Sequence, residues 1–413
     1  MTDNRIIQYM NLSLKLLPLT IYLSLVISCS KTEEPTPGGA VTGTLNSKPF
    51  SPTAEATDTG SGLYLLLKDN SDQEIAFYIT GIVAGTYTLS DPTTSGFDHQ
   101  KNSVASIVIS DSVYLSSAGS ITLSNGSDGT LEGNYSIINT QLGETSGTIK
   151  GLKIQTVPDG ECLVKAVNTN VAYDYTYSLF YDRNRRLVKM TFDSPSGYST
   201  YRSLYFFFWG KNNIIKSIMS QQEIDEPGYR ILIESWKYEN QQLSKIMVLA
   251  SGQLHSEGTM DFSYDLSGRI EKVKMTGRTS GDLFIADEFT YDANGNVSEM
   301  QISYSIPGFP SSYNSSSYKY LTYDDLHSPG SLIAKAINSK YFPYAIGLNN
   351  NNGGTDGASI IPTSNNNYKT VIYTENNTSF QFRYEYVHNS SGYPTEMSTS
   401  LYTVYKITYQ GCN

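Results

Sequence analysis

Histidine is scarce in this chain. There are four in 413 residues: His99, His255, His327 and His388. None belongs to an H-x-x-x-H pattern or lies near a cysteine cluster, so no metal site is expected. There is no G-x-S-x-G and no phosphate-binding glycine loop, which removes the signatures of a serine nucleophile and of a nucleotide enzyme. Asp98-His99 reads as a loop dipeptide. Carboxylates that meet only in the fold stay open as a glycosidase pair, but most Asp and Glu here stand where turns need them. No catalytic residue, no cofactor and no enzyme is expected. Charge is low as well, 16 % of residues against the usual quarter, with a net of −10. No basic run or face exists, so nucleic acid is not an expected partner. Long helical periodicity is missing too. What is abundant is Tyr, 33 residues, and Gly, another 33. A Tyr-, Ser-, Thr- and Asn-rich chain of this kind points to an all-β fold.

The first 28 residues do not belong to that fold. Lys15 is followed by "LLPLTIYLSLVIS", an apolar run of 13 residues that stops at Cys29. It is too short for a spanning helix and fits the core of a secretory signal. The junction "VISC" resembles a bacterial lipobox, which implies cleavage before Cys29 and a diacylglycerol on its sulfur; an ordinary signal peptide is the alternative. Residues 29–40 carry "SKTEEPTPGG", a solvated Pro/Gly tether. "SKTEE" also resembles the acidic export tag of Bacteroidetes-type surface lipoproteins. The resemblance implies an outer-membrane protein anchored by lipid and facing outward, with a periplasm-facing anchor as the other orientation. Loss of residues 1–28 leaves 27 basic and 38 acidic residues, a net of −11.

With Cys29 on lipid, Cys162 and Cys412 remain, an even pair in an oxidising compartment. They bracket the second half of the chain. We read them as one disulfide, against two unrelated thiols. A loop of that length is worth roughly 5 kcal/mol in the chain-entropy view.

Residues 41–155 hold short β-rich runs about ten residues apart, among them "GLYLLLKD", "EIAFYITGIVAGTYTLSD", "VASIVISDSVYLS" and "TLEGNYSIINT". That spacing predicts a β-sandwich. The region resembles an N-terminal domain of unknown function in the same lipoproteins, on "LNSKPF", "AGTYTLSD", "GSITLS" and "EGNYSI". Asp111-Ser112-Val113 resembles the O-glycosylation acceptor of those bacteria. Residues 156–160, "TVPDG", form a linker.

Residues 161–413 carry a repeat. Its copies are "LFYDRNRRLVKM", "FFWGKNNIIKSI", "WKYENQQLSKI", "FSYDLSGRIEKV", "FTYDANGNVSEM" and the degenerate "LTYDDLHSP". The key aromatics are Tyr181, Trp209, Tyr238, Tyr264, Tyr291 and Tyr323, at spacings of 28, 29, 26, 27 and 32 residues. "FRYEYVHNSSGYPTEM" reads as a final copy with two extra turn residues. A second bulky apolar residue stands two positions before each aromatic, on the same strand face. Asp with Asn-Gly or Ser-Gly makes a hairpin turn. A calcium loop is the rival for "YDANGNVSEM", but the twelfth position from Asp292 is Ser303, which cannot be the bidentate ligand. After the turn come apolar residues at i and i+3, such as Ile270 and Val273. They point to opposite faces of a flat strand, so either both faces are covered or a bulge corrects the register; we favour the bulge.

The repeat resembles the YD repeats of secreted shell proteins, and more closely a C-terminal lipoprotein domain of unknown function with a porin-like β fold. The few copies predict an antiparallel meander sheet or a partly closed barrel. Residues 324–368 interrupt the pattern with a short helix, "SLIAKAIN", and an Asn/Gly run; this is either a binding excursion or a cover for an open end.

The function expected is a non-catalytic surface lipoprotein that binds a polymer, with carbohydrate as the concrete case. Trp209, Trp236 and Tyr238 are the candidate stacking residues; the competing reading places them in the core. The partners expected are the membrane through the lipid, and a glycan or a surface protein. A structural or adhesive lipoprotein with a protein partner is the second reading, and an extracellular hydrolase the third.

Overall fold

The computed structural model describes residues 39–412 except 72, 95–96, 99, 111, 170–174, 195–200, 225–227, 252–257, 278–282, 307–308, 339–365 and 400–403. Cys29, His99, Asp111 and His255, and most of the 324–368 excursion, lie outside the described residues. Residues 39–413 form one compact unit.

Twelve strands make one continuous sheet: β1 (Gly39–Leu45), β2 (Lys48–Phe50), β3 (Thr53–Asp58), β4 (Leu63–Lys68), β5 (Gln73–Ile79), β6 (Gly85–Ser90), β7 (Val104–Ile109), β8 (Ser112–Leu115), β9 (Ala118–Asn125), β10 (Leu131–Asn139), β11 (Gly143–Leu152) and β12 (Ile154–Thr156). Their order is β6-β9-β10-β11-β1-β3-β4-β5-β7-β8, with β2 on β1 and β12 on β3. The sheet curls strongly. Phe77 of β5 (Gln73–Ile79) and Tyr135 of β10 (Leu131–Asn139) lie five strands apart along the ladder. On a flat sheet that is about 24 Å, yet their ring centroids are 5.4 Å apart. At one place the two ends almost join, where Ser103 exchanges backbone hydrogen bonds of 3.0 Å with Thr88 and Ser90. Leu63, Leu65 and Leu67 of β4 (Leu63–Lys68) point into the core enclosed by this curl. Their alternates, Tyr64 and Leu66, pack with the second half of the chain. That is why β4 reads as a continuous apolar run: it is covered on both faces.

Strands β13 (Leu163–Thr169) to β28 (Val404–Gln410) form a closed antiparallel barrel of sixteen strands in sequence order. Closure is complete, beyond the open meander or partial barrel expected from the repeat count. The strands outside the recognisable copies supply the difference: β13 pairs with β28 from Leu163–Gln410 to Thr169–Tyr405. The Cys162–Cys412 disulfide lies beside that seam, with Cα atoms 4.4 Å apart.

The polarity of the wall is clear. One row of register partners, Lys272, Glu288, Gln301, Ser317, Thr374 and Ser379, crosses from β21 (Ile270–Gly277) to β26 (Thr378–His388). Next to it, on the opposite face, runs Phe289, Met300, Tyr318 and Tyr373. In β26 (Thr378–His388), Gln381, Arg383 and Glu385 are exposed while Phe382 and Tyr384 are buried. Over these strands the barrel therefore has a wet outside and an aromatic inside. A barrel that crosses a bilayer has the inverse pattern, an outward apolar band.

The copies with Asp after the key aromatic share one turn, whereas Trp209 is followed by a 3-10 turn at Lys211–Asn213 and Tyr238 by a two-residue turn at Asn240 and Gln241. The Asp292 carboxylate accepts the backbone N–H groups of Asn294 and Asn296 at 2.9 and 2.8 Å. Asp265 accepts those of Ser267 and Arg269, both at 2.9 Å. The oxygens that a calcium ion would need are thus held by their own turn. Gly295 has φ +82° and Gly268 +73°, the left-handed conformation that glycine adopts cheaply. In "YDRNRRL" Arg185 takes that position at φ +63°. A bulge follows every turn: Ser263 pairs with Lys272 but Tyr264 with Ile270, and the same shift recurs at Tyr181, Trp209, Tyr238 and Tyr291. The bulge turns the i, i+3 pair onto one face, the favoured of the two readings of the sequence pattern.

The key aromatics tie neighbouring copies together. Tyr264 Oη donates to the Leu243 carbonyl at 2.6 Å and Tyr291 Oη to that of Ile270 at 2.6 Å. Trp209 Nε1–H donates to Leu187 O at 2.9 Å, and Tyr323 Oη donates to Val297 O. In each case the acceptor is the first apolar residue after the preceding turn. The Arg four places after the turn Asp adds a stack. Arg186 lies 5.2 Å from the Trp209 ring and Arg269 4.4 Å from that of Tyr291. The last copy corrects the sequence alignment. Its turn, closed by Asn389 N–H to Tyr393 O at 2.9 Å, is of ordinary size, and His388 stands where Tyr stands elsewhere.

The sequence helix is present as α1 (Pro329–Ala336). Leu332, Ile333 and Ala336 enter the barrel core, and Asn338 Nδ2–H donates to Asn213 O at 2.9 Å in a repeat turn. Lys335 pairs with Glu161. The helix therefore covers the turn end of the barrel near the disulfide.

Candidate functional site

The curled sheet lies against the outer wall of the barrel at β15 (Leu187–Ser194) to β17 (Ile214–Ile224). Tyr78 packs edge-on against Phe206 and Phe208, with centroids 4.9 and 5.8 Å away, and its hydroxyl donates to Phe207 O at 2.7 Å. This explains "LYFFFW". Phe206 and Phe208 face outward under the sheet, Phe207 and Trp209 inward, so the run is apolar in both phases. Arg183 N–H donates to Thr57 Oγ1 at 3.0 Å. The buried Arg186–Asp182 pair, at 2.6 and 2.7 Å, lies under Tyr64. Burial raises the Tyr64 hydroxyl far above the usual phenol range, with Arg186 opposing. Burial also lowers Lys189, at the same contact, to about 8.

Beside this contact, the sheet and the barrel leave a cleft of about 790 Å³. One side is β8 (Ser112–Leu115), the last strand of the sheet path. Val113 and Leu115 turn toward the barrel, and Tyr114 packs into the core of its own sheet. The other side is the barrel wall, with Lys216, Ser235, Lys237, Glu239, Ser244 and Met247. Trp236 and Tyr238 lie in the same bordering strand, with their rings turned into the barrel core. The lining combines hydroxyl, ammonium, carboxylate and apolar surface, the mixture that holds a polyhydroxylated ligand or a polypeptide strand. Among the described residues no group of His, Cys, Asp and Glu is placed to hold a metal ion.

The three stacking candidates do not share one exposed face. Trp209 is 3 % exposed and lies within the barrel core. Trp236 is 4 % exposed, and its Nε1–H donates to Glu234 Oε2 at 3.0 Å. Tyr238 is half-buried, its ring packed against the barrel core beside Ile215. The two tryptophans are architectural: Trp209 links its copy to the preceding one through Leu187 O, and Trp236 bonds Glu234 of its own strand. None of the three presents its ring to the cleft: Trp236 and Tyr238 lie in a strand that borders it, but they alternate inward with the outward Ser235, Lys237 and Glu239. Lys216, Lys237, Glu239 and the β8 edge went unrecognised in the sequence. Nothing local marks them, because the two walls are about a hundred residues apart in the chain. Ser112, of the acceptor-like tripeptide, is exposed at the rim.

No known family matches the chain, and no curated protein matches it. Among solved structures it is similar to a porin-like protein from Bacteroides uniformis, at a TM-score of 0.37 and 11 % identity, covering 60 % of this chain and 96 % of that one. It is also similar to a porin-like protein from Bacteroides vulgatus, at 0.32 and 9 %, covering 60 % and 99 %. Likenesses of this size say nothing of what either wall of the cleft binds.

Proposed function

We propose that this chain is a non-catalytic lipoprotein of the outer membrane, anchored through Cys29 and displayed outward, that binds a polymer in the cleft between β8 and the barrel wall. Carbohydrate is the ligand class we favour. The observation that carries the reading is the cleft itself, where Lys216, Ser235, Lys237, Glu239 and Ser244 offer hydrogen-bonding groups beside Val113, Leu115 and Met247. The water-facing outer wall supports a body held beside a membrane rather than through it. A non-catalytic role is supported by the repeat aspartates, whose oxygens are engaged by their own turns.

The test is a glycan array probed with the mature chain and with a Lys237→Ala, Glu239→Ala variant. Both residues are exposed, so the variant is expected to fold as the wild type does. Binding lost in the variant makes the cleft a carbohydrate seat. Silence of the wild type on the array rejects that ligand class. The second reading, a protein partner, is favoured by β8, which pairs with β7 (Val104–Ile109) on one side and ends the sheet path. A strand added there would gain backbone hydrogen bonds. Mass analysis of the mature N-terminus tests the lipid on Cys29 separately.

A further inference from the structure

The end of the sheet at which the folded body begins carries exposed apolar side chains. Val83 is 65 % exposed, Ile82 44 % and Ile154 37 %. They line one concave surface with Ala84, Leu131 and Lys153. The loop that presents Ile82 and Val83 is held firmly, because Tyr87 Oη donates to Val83 O at 2.6 Å and its ring packs under Gly81. The apolar side chains thus project from a braced turn. Exposed apolar groups gathered at one tip call for a partner surface.

The position of the chain entry says which surface. Gly39, the first residue of β1, lies against Lys150 and Leu152 of β11 (Gly143–Leu152). Leu152 is two residues before Ile154 and pairs with Leu131, another lining residue. Leu131 in turn pairs with Asn125, also in the lining. The entry point and the apolar tip are therefore one end of one sheet. Gly39 is ten positions after Cys29, and a chain of that length spans at most roughly 35 Å.

We propose that the Ile82–Val83–Ile154 tip rests in the interfacial layer of the membrane that carries the anchor, so that the sheet meets the lipid end-on. The inference rests on the lipoprotein reading and adds an orientation to it. The tether keeps the tip close to the bilayer, so a patch too small to bind alone becomes sufficient. The mature body has a net charge of −11, which disfavours electrostatic attraction to anionic lipid and leaves apolar contact as the means.

Both native tryptophans are buried, so a new one at the tip is the sole exposed indole. The lipidated full-length protein is reconstituted into phosphatidylcholine vesicles with brominated acyl chains. It carries either Val83→Trp or, at an exposed barrel position, Phe380→Trp. Loss of emission and a blue shift for V83W, with F380W unchanged, is the expected result. Unquenched emission at both sites, with diacylglycerol verified on Cys29 by mass, overturns the tip and leaves the lipoprotein reading intact. Quenching at both sites overturns the end-on orientation. A mature N-terminus without lipid removes the anchor, and the tip inference falls with it.

Discussion

The hydroxyl of Tyr264 reaches the carbonyl of Leu243 at 2.6 Å, across the boundary between two copies of the repeat. Leu243 is the first apolar residue after its own turn, and Tyr264 the last residue before the next. The bond therefore joins hairpin to hairpin at the turn end of the barrel. Three further copies make the same contact, through Trp209, Tyr291 and Tyr323. A phenylalanine would fill the volume and lose the link, which accounts for a Tyr or Trp in every one of those copies.

Tyr264→Phe removes the link with little change in packing. The expected loss is about 0.5–1.5 kcal/mol, the net worth of one hydrogen bond. It is read as a lower urea midpoint at unchanged slope. The same change at Tyr291, whose hydroxyl bonds Ile270 O, is expected to cost a similar amount. An unaltered midpoint in both variants would make the hydroxyls incidental.

Asp182 and Arg186 are buried together where the sheet meets the barrel. Removing one partner leaves a buried charge, so Arg186→Met alone is expected to cost about 3–5 kcal/mol. Asp182→Leu with Arg186→Met is expected to recover part of that. Thermal melts of the two singles and the double give the coupling; additive losses would show that the pair does not act as a unit.

Asp287 faces inward between Val273 and Ile302, and burial raises its carboxyl to about 7. The unfolded carboxyl ionises near 3.9. Between those values the folded state holds a proton that the unfolded state has released. Stability from this group is full below pH 4 and declines as pH rises through 7. Asp287→Asn is expected to flatten that decline and to be the more stable protein at pH 8. Parallel pH profiles for wild type and variant would reject the assignment.

The Cys162–Cys412 bond spans 250 residues beside the barrel seam. Replacing both cysteines by serine is expected to cost about 2–5 kcal/mol. Reducing agent is expected to lower the melting temperature of the wild type and to leave the double variant unchanged.

Much of the fold is legible in local pattern. The hairpin turns are written in Asp and Gly, since a carboxylate that binds its own backbone and a residue tolerant of positive φ define that turn wherever they occur. The bulge follows from the i, i+3 apolar pair, because only a shifted register puts Ile270 and Val273 on one side. Period-two aromatics mark the buried face. The disulfide followed from the count of cysteines once Cys29 was set apart. These signals are short-range, and neighbours in sequence carry them whole.

Closure of the barrel, burial of the tryptophans and the cleft were settled only by tertiary structure. Closure depends on β13 and β28, which carry no repeat motif and meet across the length of the domain. Trp209 and Trp236 looked free to stack on a ligand because a Trp at period two reads alike on an inner and an outer face. Only the direction in which the sheet closes decides which face is inside. The cleft joins Val113 and Leu115 to Lys216, Lys237 and Glu239, side chains that share no local pattern and meet only because one folded sheet docks on the other.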